Sequence, residues 1–309
     1  MRELVAIVGP TATGKSDLAL HLAQALDAEI VGADSRQVYR FMDIGTAKPT
    51  AEQRAAAPHH LIDVADPDED FSLARYQDMA LRAVEDIGAR GRSALLVGGS
   101  GLYVWSVLAG MRIPHVPPDQ ALRRELEERA ARHGYMALHQ ELLERDPEAA
   151  GRIDPRNVRR VVRALEVCQA TGTPFSQLYR SEPLFRTLII GLTMERDDLY
   201  HRIDRRVEDM MRRGLVAEVE GLVARGYGLD LPAMSSLGYR YIGRYLQGDI
   251  TLDEAVQHTK HDTHRLARKQ YAWFRPNDER IHWLDAAEGA NAQARHLAEG
   301  FLAGERAAR

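Results

Sequence analysis

The eight residues Gly9-Pro10-Thr11-Ala12-Thr13-Gly14-Lys15-Ser16 constrain this chain more than any other stretch. They satisfy every position of the P-loop pattern, and their setting gives the pattern physical meaning. An apolar run at residues 3–8 precedes them, and Leu18, Leu22 and Leu26 follow at helical spacing. A strand, a glycine-rich turn and a helix N-terminus in that order aim backbone N–H groups at a phosphate. Lys15 adds a point charge, and the Ser16 hydroxyl is of the type that ligates Mg²⁺. The motif does not say whose phosphates are bound, since a nucleoside triphosphate and a diphosphate ester present similar oxygens.

Period and punctuation extend the reading along the chain. Glu29-Ile30-Val31 begins a second strand ending near Asp34, an amphipathic helix covers about residues 72–90, and Ser93 to Val97 form a third strand. Strands alternating with helices predict a parallel sheet covered on both faces. Pro114-His115-Val116-Pro117-Pro118 then reads as a hinge into Asp119 to Gly172, where helical spacing dominates, before Thr187 to Thr193 return as a buried strand. Helices are expected over about 197–225 and 252–273, and Ile281 to Leu284 as a last strand. The predicted fold class is therefore α/β, a P-loop parallel sheet core flanked by helices, with an all-helical insertion domain. Residues 1–113 form the first part of the core, 114–186 the insertion, and 187–309 the rest of the core with C-terminal helices.

Composition narrows function by exclusion. With 41 Lys and Arg against 45 Asp and Glu, the net charge of −4 rules out nucleic-acid binding by bulk attraction, so any such contact is local. A single cysteine, Cys168, makes no intrachain disulfide or thiolate metal cluster and points to a reducing cytoplasm. The N-terminal apolar run is too short for a signal peptide, and Gly98, Gly99, Ser100 and Gly101 interrupt the uncharged stretch from Ser93 to Met111, so no membrane span is expected.

The third strand ends in Gly98-Gly99-Ser100-Gly101, without the strand-end carboxylate that a motor or switch NTPase needs for Mg²⁺. A carboxylate stands instead at the end of the second strand. Asp34 reads as a general base or an outer-shell group on Mg²⁺, or alternatively as a cap on the following turn. In the insertion, Arg156, Arg159, Arg160 and Arg163 repeat at helical spacing opposite Val158, Val161, Val162 and Leu165, which predicts a two-faced helix whose basic face meets phosphates or solvent. A second basic run, Lys260, His261, His264, Arg265, Arg268 and Lys269, adjoins Tyr271, Trp273 and Phe274, which read as core or as stacking surfaces. His59-His60 reads as structural or substrate-lining.

Several runs together resemble the tRNA dimethylallyltransferase family: the P-loop, Ala33-Asp34-Ser35-Arg36-Gln37-Val38-Tyr39, Met42-Asp43-Ile44-Gly45-Thr46-Ala47-Lys48-Pro49 and Pro58-His59-His60-Leu61-Ile62-Asp63. Val97 to Tyr103, Arg163 to Val167, Leu199 to Val207 and Gln270 with Trp273-Phe274-Arg275 extend the similarity over nearly the whole chain. The resemblance implies transfer of a dimethylallyl group from its diphosphate to N6 of the adenosine at tRNA position 37, with the P-loop, Gly9 to Ser16, holding the leaving diphosphate. It implies Asp34, Thr13, Lys15 and Arg206 as catalytic residues and Mg²⁺ on Ser16. It implies tRNA contacts at Asp34, Ser35, Arg36, Gln37, Ser100, Arg123, Arg159, Arg160, Val161, Val162 and Arg163. The chain is expected in the cytoplasm, as a monomer and away from membranes. Ser100 departs mildly from the family's usual threonine but keeps the hydroxyl. The rival readings are a P-loop nucleoside or nucleotide kinase, which would consume ATP, and a non-catalytic RNA-binding regulator.

Overall fold

A computed structural model describes residues 2–178, 181–286 and 289–304. The chain divides into two compact units: one runs to Leu108 and resumes at Leu184, and the other spans Ala109–Pro183.

The first unit opens with β1 (Arg2–Val8), α1 (Lys15–Ala25), β2 (Ala28–Gly32), α2 (Ala51–Ala56), β3 (His59–His60), α3 (Leu73–Ala89), β4 (Ser93–Val97) and α4 (Gly101–Leu108). The second contains α5 (Gln120–His133), α6 (Tyr135–Arg145), α7 (Pro147–Arg152), α8 (Val158–Thr171) and α9 (Phe175–Leu178). The first then resumes with β5 (Phe185–Thr193), α10 (Arg196–Arg212), α11 (Leu215–Ala224), α12 (Leu237–Leu246), α13 (Leu252–Trp273), β6 (Ile281–Asp285) and α14 (Ala290–Leu302).

The sheet has six parallel strands in the order β3-β2-β4-β1-β5-β6. Alternation along β1 shows how it is buried: Leu4, Ala6 and Val8 face one apolar cluster, and Val5 and Ile7 the other, all without exposure. The first face is covered by apolar residues of α3, α4, α11 and α12, and the second by Leu18 and Leu22 of α1 with Ala294, Ala298 and Phe301 of α14. A sheet covered on both sides needs near-continuous apolar strands, which is what residues 4–8 and 94–97 supply.

The division between units falls five residues before the expected 113/114 boundary and three before 186/187. β5 begins at Phe185 because Phe185 and Arg186 already pair with Arg2 and Glu3. The proline-rich hinge therefore lies inside the helical unit. α12 and α14 were not foreseen, and no helix among the described residues is long and apolar enough to cross a membrane.

The helical unit packs α5, α6 and α8 around Leu126, Leu138, Leu142, Val161, Val162 and Leu165. This corrects two expected tRNA contacts: Val161 and Val162 are 0% and 2% exposed, so their side chains serve the core. The basic face also shrinks. Arg156 precedes α8 and pairs with Asp154, while Arg163 and Arg123 both bind Glu166, itself 1% exposed. Burial alone would raise the Glu166 pKa, but Arg123 and Arg163 prevail and hold it below the ordinary glutamate range. Two arginines on one buried carboxylate brace α5 against α8. Arg159 and Arg160 remain exposed, with no ion pair to a described residue.

Candidate active site

The P-loop leaves β1 at Gly9, where a φ of +131° and the Leu192 carbonyl oxygen, which would lie 2.3 Å from an added Cβ, exclude any side chain. Gly14 caps α1 in the left-handed region, and the free N–H groups of the first turn face the loop's concavity. Inside the loop, the Thr13 hydroxyl donates to the Pro10 carbonyl at 2.9 Å, and Lys15 Nζ donates to the same oxygen at 2.5 Å. Burial first, and then the Arg206 charge, bring the Lys15 pKa down to about 7 against the opposing pull of Asp34. Burial likewise lowers Arg206, against the attraction of Asp34 and Asp17. Two desolvated cations beside open N–H groups form a site that gains by receiving a polyanion.

At the neighbouring strand ends, close backbone approach depends on glycine. A Cβ at Gly98 would lie 2.0 Å from the Ala33 carbonyl, and one at Gly99 would lie 2.3 Å from Gln270 Nε2. Gln270, 8% exposed, accepts the Thr11 N–H at 2.8 Å and donates to the Gly99 carbonyl at 3.0 Å, fixing the P-loop to the loop after β4. Asp34 Oδ1 accepts the Arg36 N–H at 2.8 Å, the turn-capping geometry anticipated from sequence, and Ser100 Oγ accepts the Ser35 N–H at 3.0 Å.

Two cavities meet here. The larger, about 740 Å³, is lined by Asp34, Ser35, Arg36, Ser100 and Arg206, and also by Arg240, Arg265, Lys269 and Trp273. The smaller, about 80 Å³, is lined by Lys15, Ser16, Gln37 and His59 with apolar Ile30, Ile62 and Val97. Thr11, Asp34, Gly99 and Gln270 line both, so Asp34 stands at the junction between anion site and open chamber. A carboxylate in that position reaches a nucleophile in one cavity and an electrophile anchored in the other.

Among the sequence-predicted residues, Asp34, Ser35, Arg36, Ser100 and Arg206 thus converge on the chamber, and Lys15, Ser16 and Gln37 on the small cavity. Thr13 is 1% exposed, its hydroxyl donates to Pro10, and it borders neither of these two cavities, whereas Thr11 borders both. Gln37 keeps its amide nitrogen on the Thr46 and Ala47 carbonyls, each at 3.1 Å. That loop is itself held by Glu218, whose carboxylate accepts the N–H groups of Asp43, Ile44 and Gly45 and the Tyr239 hydroxyl. The aromatic pair after α13's basic run splits, with Phe274 fully buried and Trp273 45% exposed at the chamber. His60 bonds the buried Glu29, while His59 lines the small cavity with its pKa lowered by burial. No cluster of metal-ligating side chains occurs among the described residues. Ser16 and Asp34 do share the small cavity, and a hard-oxygen pair suits Mg²⁺, which takes most of its ligands from phosphate and water.

Reasoning from sequence missed Gln270 as a brace, though its motif was noted, and missed Glu218 and Arg240 entirely. No local pattern marks those two; only the tertiary fold carries them to the site.

Comparison with known proteins finds relatives over nearly the whole chain. The IPP transferase family matches residues 37–277. A tRNA dimethylallyltransferase of Roseiflexus castenholzii is 58% identical over 276 residues, covering 89% of this chain and 90% of the relative. One from Dehalococcoides mccartyi is 46% identical, covering 97% and 93%. Among solved structures, the full-length tRNA isopentenylpyrophosphate transferase of Bacillus halodurans is 43% identical with a TM-score of 0.73, covering 98% of this chain and 96% of its own. A eukaryotic dimethylallyltransferase acting on tRNA superposes with a TM-score of 0.86 at 25% identity, covering 99% and 81%.

Proposed function

The chain belongs to the IPP transferase family, and from that premise we infer how its residues carry out the reaction. It is a prenyltransferase that transfers the dimethylallyl group to an adenosine of tRNA. The finer reading is attack by N6 of the adenosine at position 37 on dimethylallyl diphosphate. Family membership sets the kinase and regulator readings aside.

One observation carries the residue roles: Asp34 lies where the anion site opens into the chamber. The loop N–H groups, Lys15 and Arg206 bind the diphosphate and stabilise the charge that grows on it as the allylic C–O bond breaks with its electron pair. Ser16, with Asp34 lining the same cavity, would hold Mg²⁺, which would supply further neutralisation of the diphosphate. The N6 lone pair forms the new C–N bond, and Asp34 accepts the N6 proton. Ser35, Arg36 and Ser100 line the space for a base drawn out of the anticodon-loop stack, and Gln37 is held ready beside it. Arg159 and Arg160 bind phosphates of the anticodon arm. The lone Cys168 with an RNA substrate supports the cytoplasm.

The test is nucleoside mass analysis of an unmodified tRNA with adenosine 37 after incubation with dimethylallyl diphosphate and Mg²⁺, without ATP. Wild type should add one dimethylallyl mass to that adenosine, and Asp34→Ala should lose the activity by about 10²- to 10⁴-fold. Full activity in Asp34→Ala would remove the proposed base.

A further inference from the structure

One helical stripe of α13 carries Leu266, Lys269, Gln270 and Trp273, at i, i+3, i+4 and i+7. Its residues behave differently. Gln270 is buried and braces the P-loop, whereas Leu266 and Trp273 are 40% and 45% exposed, and Leu102 at the start of α4 is 38% exposed beside them. All three apolar side chains line the large chamber. An apolar lip left open on a cavity edge marks a surface awaiting an apolar partner.

The lip is held in place. A Cβ at Gly101 would lie 2.2 Å from Trp273 Cγ, so the indole rests directly on the first turn of α4. Trp105 Nε1 donates to the Trp273 carbonyl at 3.1 Å, and the next residue, Phe274, is fully buried. The ring is therefore pinned at its base and open on its outer part.

Charge identifies the partner. Arg240, Arg265 and Lys269 line the same chamber, and none has an ion pair with a described residue. The lining carboxylates are Asp34 and Asp262, and Asp262 accepts the Tyr241 hydroxyl at 2.6 Å. A flat apolar surface ringed by unpaired cations suits an unstacked nucleobase with its backbone phosphates.

We propose that Trp273, with Leu102 and Leu266, is the stacking platform for the nucleotide next to the target adenosine in the tRNA loop. The inference rests on the transferase reading above. Drawing one base out of a stacked loop bares the face of its neighbour, and the lip covers that face at the mouth of the chamber the target base enters. Trp273 is thus a binding residue for the RNA and takes no part in bond making.

The experiment is a chemical double-mutant cycle on an anticodon stem-loop, prepared intact or with an abasic site on the 5′ or the 3′ side of the target adenosine. With the intact loop, Trp273→Ala should raise the KM for RNA about tenfold, the loss of one base–aromatic stack. The KM for dimethylallyl diphosphate should hold, and Trp273→Phe should recover most of the loss. With one of the two abasic loops, wild type should fall to the level of the variant and Trp273→Ala should lose nothing more. Leu102→Ala, run through the same cycle, keeps the test valid should Trp273→Ala fold poorly. Losses that multiply at both abasic positions, or a parallel rise in the KM for dimethylallyl diphosphate, would overturn the platform. Failure of wild type to prenylate the intact loop would instead overturn the transferase reading beneath it.

Discussion

The helical unit and the chamber of the core both gather cationic side chains, and they hold them in opposite states. In the helical unit Arg123 and Arg163 share the buried Glu166, and Arg156 is taken by Asp154. In the core, Lys15, Arg206, Arg240, Arg265 and Lys269 face cavities and have no ion pair with a described residue. Desolvation lowers the pKa of Lys15 and Arg206, so both would be more stable charged if an anion joined them. An arginine already neutralised by a buried carboxylate does architectural work, and one left bare beside a cavity is reserved for a ligand.

The sharpest way to break this distinction is Arg206→Ala. Losing a cation aimed at developing charge should lower kcat by about 10²- to 10³-fold while the melting temperature stays near that of wild type. A small kinetic effect with a large drop in stability would make Arg206 architectural as well. Glu166→Ala addresses the other side. It strands two guanidinium groups and should destabilise the helical unit by about 2–3 kcal/mol in urea denaturation, since both arginines keep partial access to water. Steady-state KM for dimethylallyl diphosphate should not move.

A third carboxylate-centred cluster tests the same idea through pH. Glu29, 1% exposed, is held at about 2, first by the Arg90 guanidinium and then by His60 and Arg92, against the opposing pull of burial. Because its folded pKa lies below its unfolded value, its contribution is present above about pH 4.5 and is lost as pH falls toward 2. Acid unfolding of wild type should be steep in that window, and that of Glu29→Gln shallower from a lower starting stability. The smallest effects belong to α8. Arg159→Ala and Arg160→Ala should each weaken tRNA binding a few-fold and reduce its salt slope by about one, whereas Arg163→Ala should lower stability and leave the slope alone.

These contrasts mark where reading from sequence ends. β1, the P-loop, α1, α3 and β4 were legible because a buried strand and an amphipathic helix each impose a period on the residues that form them. β3, two residues long, carries no period, and the apolar positions of α12 and α14 are interleaved with glycine or built of alanine, which weakens the signal. For the site, spacing correctly assigned the Asp34 to Gln37 turn to a sheet edge. It could not assign partners: Arg159 and Arg163 are alike in sequence, but only Arg163 has Glu166 one turn away with its carboxylate buried. Nor does anything local reveal that the Thr13 hydroxyl turns inward to Pro10.

The Gln270 brace has a consequence in time. Its partner Thr11 lies 259 residues earlier, and β1 finds β5 only after the helical unit has been made. At ordinary rates of protein synthesis, on the order of tens of seconds separate the appearance of the phosphate loop from that of the residue that clamps it. Through that interval the nascent chain carries a phosphate loop without its last fastening. The finished enzyme is assembled from opposite ends of the message, and translation has to pass codon 270 before the ribosome's product can begin to modify the tRNAs that made it.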